Sequence, residues 1–147
     1  MVEMKLTANF NLSEFTVSET AARQGIDNTP PSSVMPILNM TARKMEEVRI
    51  ALGNHPITIT SGYRSPKLNA AIGSRPTSAH VQGYAVDFVC PKAGTPREIV
   101  EKLLKSNVAF DQCIEEFPPN GWVHISFAPQ MRRMALTIDR NGTRAFA

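Results

Sequence analysis

The chain is 147 residues long with a mass of 16.2 kDa, a length that suits one hydrophobic core and a single domain, residues 1–147. Hydrophobic residues make up 42% and charged residues 20%, which excludes wholesale disorder, collagen and coiled coil. A net charge of +3 falls far short of a nucleic-acid footprint, and no apolar run nears the roughly 20 residues of a membrane helix, so neither nucleic acid nor membrane insertion is expected.

Met1 to Phe15 has no basic stretch leading into an apolar one, so no secretory signal is expected there. Phe10, Leu12 and Phe15 belong to an N-terminal arm, residues 1–30, expected to dock on the body. The arm runs into the loop Asp27-Asn28-Thr29-Pro30-Pro31-Ser32-Ser33. From Val34 to Leu52 apolar residues recur at helical spacing, with Ser32 or Ser33 available as N-cap and Gly53 just past the end. Ile57-Thr58-Ile59-Thr60 alternates and is β-branched, so it reads as a strand. Ser65-Pro66 then offers an N-cap and a proline at the first helical position, for a helix to about Ile72. Gly73 to Thr77 reads as a loop, and Tyr84 to Val89 as a second strand. Thr95-Pro96-Arg97-Glu98 has the capping-box pattern, and Ile99, Val100, Leu103 and Leu104 follow as a helix face. Phe110 to Phe117 and Trp122 to Phe127 read as strands joined by the turn Pro118-Pro119-Asn120-Gly121, and Met134 to Ile138 as a fifth strand. Mixed helices and strands with a short strand connection predict an α+β fold, a small antiparallel sheet with helices packed on one side. Cys90 and Cys113 lie in apolar stretches and are expected to be buried thiols. Arg132, Arg133, Arg140 and Arg144 read as a solvated surface.

The chemistry concentrates in two stretches. In Ser78-Ala79-His80-Val81-Gln82-Gly83-Tyr84-Ala85-Val86-Asp87 the histidine falls in a loop and the aspartate inside a strand, across a glycine suited to close backbone approach. A carboxylate within Ala-Val-Asp-Phe-Val needs a cation or donors, because burying it alone costs several kcal/mol. In Trp122-Val123-His124-Ile125-Ser126, Val123 and Ile125 share the core face and His124 points the other way. His80, Asp87 and His124 make the three-ligand set of a catalytic zinc, which leaves one position open. Such chemistry also needs a general base and a donor for the oxyanion. Glu115 and Glu116 lie on opposite faces of their strand, so one of them can enter the site, and periodicity leaves both open. Cys113 shares a face with Glu115. Arg64, just after a strand end, is the candidate electrophile.

Ser78-x-His80-x-x-Gly83-x-Ala85-x-Asp87, with Ser61-Gly62-Tyr63-Arg64 before it and Trp122-x-His124 after it, resembles the zinc D-Ala-D-Ala metallopeptidases. These are related to lysostaphin-type enzymes and to the hedgehog signalling domain. The likeness is greatest to short cell-wall peptidases of phages and prophages, endolysins included, and runs from Asn9 to about Phe127. It implies that His80, Asp87 and His124 bind zinc, that Arg64 holds substrate and stabilises the tetrahedral intermediate, and that Ser78 binds the substrate peptide. The strand Phe110-Asp111-Gln112-Cys113-Ile114-Glu115-Glu116 matches the branch in which the last residue is the catalytic acid, which selects Glu116. Several relatives carry the base three residues before the last histidine, where this chain has Gly121. Tyr63, Gln82, Asp111 and Trp122 match positions that shape the site, and Trp122 is expected against substrate.

The resemblance implies a zinc peptidase cleaving peptidoglycan stem peptides, as an endopeptidase or a carboxypeptidase, in phage or prophage lysis. The protein is then expected to be a monomer made in the cytoplasm that reaches the wall after release or within a virion. The competing expectation is a non-catalytic, zinc-stabilised hedgehog-like binding module.

Overall fold

A computed structural model describes residues 4–147; residues 1–3, the start of the expected arm, lie outside the described residues. The arm is more structured than its sequence suggests. β1 (Lys5–Thr7) and β2 (Phe10–Asn11) pair antiparallel, and α1 (Leu12–Thr16) and α2 (Glu19–Gln24) follow. Phe10 and Phe15 are buried in the common core, with ring centroids 6.1 Å apart. Asn9 donates from its backbone N–H and from Nδ2 to the Glu46 carboxylate, at 2.7 and 2.8 Å.

α3 (Met35–Ala51) buries Leu38, Thr41, Ala42, Met45 and Val48 along one face. Its N-cap is Val34, not the expected Ser32 or Ser33. The turn closed by the Val34 N–H on the Pro31 carbonyl, at 2.9 Å, takes up both serines, and Pro36 fixes the helical start. β3 (Thr58–Ser61) leads into α4 (Pro66–Ile72), where Ser65 Oγ accepts the Leu68 N–H at 3.2 Å as the expected cap. The one-turn α5 (Ala79–Gln82) replaces the loop expected around His80. Ser78 caps it at one end, and Gly83, at φ +90°, ends it at the other. A Cβ at Gly83 would lie 3.0 Å from Val34 Cγ1, so close packing is also part of this glycine's role. β4 (Ala85–Val89) follows, then α6 (Pro96–Lys105) with its Thr95–Glu98 capping box. β5 (Gln112–Glu116), β6 (Trp122–Ser126), β7 (Met134–Asp139) and β8 (Gly142–Ala145) complete the chain.

The main sheet has the order β3-β4-β6-β5-β7-β8. The α+β class holds, with one correction: β5 and β7 pair parallel, so the sheet is mixed. The cause is the crossing after β6. The hairpin makes β5 the neighbour of β6, and the chain returns past the start of β5 to pair on its free edge. That crossing is fixed by the Arg133 N–H on the Phe110 carbonyl (2.9 Å) and the Met134 N–H on the Asp111 carbonyl (2.8 Å).

Strand alternation divides the sheet. Val86, Phe88, Cys113, Val123 and Ile125 join the core formed with α3 and α6. Asp87, Glu116, Trp122 and His124 alternate with them and line the opposite face. Both cysteines are free and buried, as expected. No helix among the described residues is long and apolar enough to cross a membrane.

Candidate metal centre and active site

β4 and β6 place Asp87 directly opposite His124 in the antiparallel register. The short α5 drops His80 onto the same point. The ligand atoms of the three residues lie within 4.8 Å of one another. His124 Nδ1–H donates to Asp87 Oδ1 at 2.9 Å, and His80 Nε2 lies 3.3 Å from the same oxygen. The imidazole rings stand edge to face with centroids 5.1 Å apart. The three residues singled out from the sequence thus lie together, with His80 on a short helix where a loop was expected.

The backbone prepares His80 for a metal. A carbonyl can only accept, so the 2.7 Å contact between His80 Nδ1 and the Gly62 oxygen puts the proton on Nδ1. That leaves the Nε2 lone pair facing the cluster, an outer hydrogen bond of the kind that orients metal-binding imidazoles. The Arg64 N–H donates to the His80 carbonyl at 3.1 Å, so the β3–α4 loop and α5 hold each other.

Electrostatics follow burial and proximity. Burial pushes the His80 pKa down despite Asp87, which favours the neutral imidazole, the form that can ligate a metal. Burial also opposes charge on His124, but the hydrogen bond to Asp87 and the carboxylate's charge outweigh it and raise its pKa. Asp87 is 7% exposed. Burial alone would raise its pKa, yet the bonds from His124 and His80 hold it well below the usual carboxylate range. Two imidazoles and a carboxylate converging on one buried point fit a three-ligand zinc site in donor type and number.

The two glutamates separate as strand alternation requires. Glu115 is 1% exposed and points to the helix side, where Oε1 accepts from Arg97 Nη2 and Thr137 Oγ1, each at 2.7 Å. It stands outside the site, on the Cys113 side. Glu116 shares the site face with His124. In the register Glu116 pairs with Trp122, so His124 is its diagonal neighbour, with backbones about 7–8 Å apart. Burial, then the charge of Asp87, raises the Glu116 pKa. Trp122 Nε1 donates to Glu116 Oε2 at 3.2 Å.

Gly121 occupies the position three residues before His124. A Cβ at 121 would fall 1.8 Å from the Glu116 carbonyl oxygen, so this tight hairpin admits no side chain there.

Arg64 Nη2 lies 3.6 Å from Asp87 Oδ2, and burial lowers the guanidinium pKa. Ser78 Oγ accepts the His80 N–H at 3.3 Å. Arg64, Ser78, His80, Asp87, Glu116, Trp122 and His124 all line one cleft of about 850 Å³. Sequence reasoning missed Asn69 and Ser74, which touch Arg64, and Gln112, Gln130 and Arg132 along the far wall. The spacing Ser65-to-Asn69, one helical turn after the Arg64 loop, was the available signal for Asn69.

Residues 8–126, most of the chain, match the family model of peptidase M15. The chain belongs to this family, as the motif resemblance implied. It is 38% identical over 49 residues to the zinc D-Ala-D-Ala carboxypeptidase of Streptomyces albus G, a stretch covering 33% of this chain. The same stretch covers 19% of that relative, so the chain corresponds to a small part of its length.

Proposed function

We propose that this protein is a zinc-dependent peptidase that cleaves peptide bonds in the peptidoglycan stem. The convergence of His80, Asp87 and His124 at the wall of a cleft shared with Glu116 and Arg64 carries the reading. We read residues 1–147 as one peptidase domain, supported by the burial of Phe10 and Phe15 in the common core.

His80 through Nε2, Asp87 through its carboxylate, and His124 through Nδ1 once that nitrogen gives up the proton it donates to Asp87, would hold the zinc. Bound zinc supplies a Lewis acid for the scissile carbonyl and lowers the pKa of water to about 7. Glu116 accepts the proton of the attacking water and returns it to the leaving amine. Its raised pKa suits both steps, because a base poised nearer neutrality also serves as an acid. Arg64 donates to the oxyanion as it forms. Ser78 and Trp122 line the path of the peptide.

The cleft continues past the site to Leu136, Ile138 and Thr143 on β7 and β8. An extended groove favours internal cleavage over removal of one terminal residue, and it suits a lytic role of the phage or prophage type. The reading is of a monomer acting at the wall after release or from a virion.

Glu116→Gln tests the catalytic reading. The variant is expected to keep one zinc per chain and lose roughly 10²–10⁴-fold in kcat, the range of a general base. Unchanged turnover would remove Glu116 from the mechanism. A wild type that holds zinc and cuts nothing would make the protein a binding module.

A further inference from the structure

Arg64 can serve an oxyanion only if its guanidinium is held still, and a long flexible side chain is expensive to immobilise. Three acceptors enclose it. Nε donates to Ser61 Oγ at 3.3 Å, and Nη1 donates to Asn69 Oδ1 at 3.4 Å and to Ser74 Oγ at 3.2 Å. Each bond is long for N–H···O, so the grip comes from enclosure on three acceptors rather than from one strong contact. Nη2 is left facing Asp87 and the cleft.

Asn69 differs from the two serines. It is 2% exposed, and its amide has only one workable orientation. Nδ2 donates to the Arg75 carbonyl at 2.8 Å, and a carbonyl can only accept. A guanidinium can only donate, so Oδ1 must face Arg64. One buried side chain thus links the arginine to the loop that leads from α4 to Ser78 and His80. Asn69 also reaches that loop through its backbone, whose carbonyl accepts the Ser74 N–H at 3.0 Å. Aspartate would turn a lone pair on the Arg75 carbonyl, and leucine would leave both partners unpaired. Asparagine alone among residues of this size satisfies both sides.

We propose that Asn69, with Ser74, is a positioning residue for the reaction, fixing the Arg64 guanidinium so that Nη2 addresses the reacting carbonyl. This rests on the role proposed above for Arg64. Asn69 is buried behind the cleft wall and Ser74 lies at its edge, and both act on the reaction through the arginine.

The test is a double-mutant cycle on the zinc-loaded protein, with soluble stem-peptide fragments as substrate. Asn69→Ala and Ser74→Ala are each expected to lower kcat, roughly ten- to a hundredfold for Asn69 as misplacement of a catalytic group can cost, with zinc content unchanged. Placed in an Arg64→Ala background, either substitution should cost almost nothing more. A second readout needs neither substrate nor metal. The Arg64 Nε–H cross-peak in a 1H–15N spectrum, assigned by its loss in Arg64→Ala, should shift and broaden in Asn69→Ala and in Ser74→Ala. Full additivity in the cycle, or a cross-peak unmoved in the folded Ser74→Ala variant, would overturn the positioning role. An Arg64→Ala variant with wild-type kcat would instead overturn the role of Arg64 itself, a separate failure. Ser74 is only half-buried, so its variant keeps the test open if Asn69→Ala does not fold.

Discussion

Trp122 Nε1 donates to Glu116 Oε2 at 3.2 Å, across a register pair that closes the β5–β6 hairpin. The bond ties the proposed base to the strand that carries His124. It favours the ionised carboxylate and so opposes the upward pull of burial on the Glu116 pKa.

Trp122→Phe keeps an aromatic wall and removes the donor. Losing a bond to the charged form raises the Glu116 pKa, and activity requires Glu116 deprotonated. The acid limb of kcat/KM should therefore move to higher pH by about one unit. A pH–rate profile of both proteins checks this, and a limb that stays put or moves down would show that Glu116 is not the titrating group.

Zinc should stabilise the fold. At a free concentration a hundred times its Kd, a ligand binding only the native state adds about 2.7 kcal/mol. Thermal unfolding of the metal-free protein should shift upward on adding zinc, and His124→Ala should abolish most of that shift. An equal response from His124→Ala would place the metal elsewhere.

Acid stability has an identifiable contributor on the cleft wall, apart from the three clustered metal-site residues. Arg132 donates from Nε and Nη2 to the two oxygens of Asp111, each at 2.9 Å, and this bond lowers the Asp111 pKa below its ordinary 3.8. A depressed folded pKa gives stability that is complete above the unfolded value and fades as pH falls through the folded one. The melting-temperature advantage of the wild type over Asp111→Asn should be present at pH 6 and shrink below about pH 4. A gap that widens in acid would contradict the assignment.

Phe10 and Phe15 bring the N-terminal segment into the core. Phe15 is fully buried, and its carbonyl accepts the Tyr63 N–H at 2.6 Å beside the Arg64 loop. Phe15→Ala should destabilise the protein by about 3–5 kcal/mol in chemical denaturation. A loss below about 1 kcal/mol, the range of surface changes, would mean that the arm does not complete the core.

Much of this site was legible because its residues break local patterns. Asp87 interrupts an apolar strand and so demanded a partner, and His124 sits on the polar side of an alternating one, so period-2 spacing put it on the face away from the core. The caps of α4 and α6 were equally readable, since Ser65 and Thr95 stand beside prolines that fix the helix start. The α5 turn was not, because four residues are too few to show helical periodicity and only the Ser78 and Gly83 caps mark it. β8 carries four exposed residues with no apolar alternation, and its pairing is decided by β7 rather than by its own sequence. The parallel β5–β7 pair depends on where the chain crosses after β6, a long-range choice that no local pattern encodes. The enclosure of Arg64 by Asn69 was hidden for the same reason: it needs α4 and the following loop folded together.

The most direct measurement is incubation of the purified protein with peptidoglycan, with and without a chelator, followed by product masses. The account predicts new amino termini within the stem peptides or cross-links, lost on chelation and restored by zinc. Intact peptidoglycan in the presence of zinc-loaded protein, or cleavage indifferent to the chelator, would contradict it.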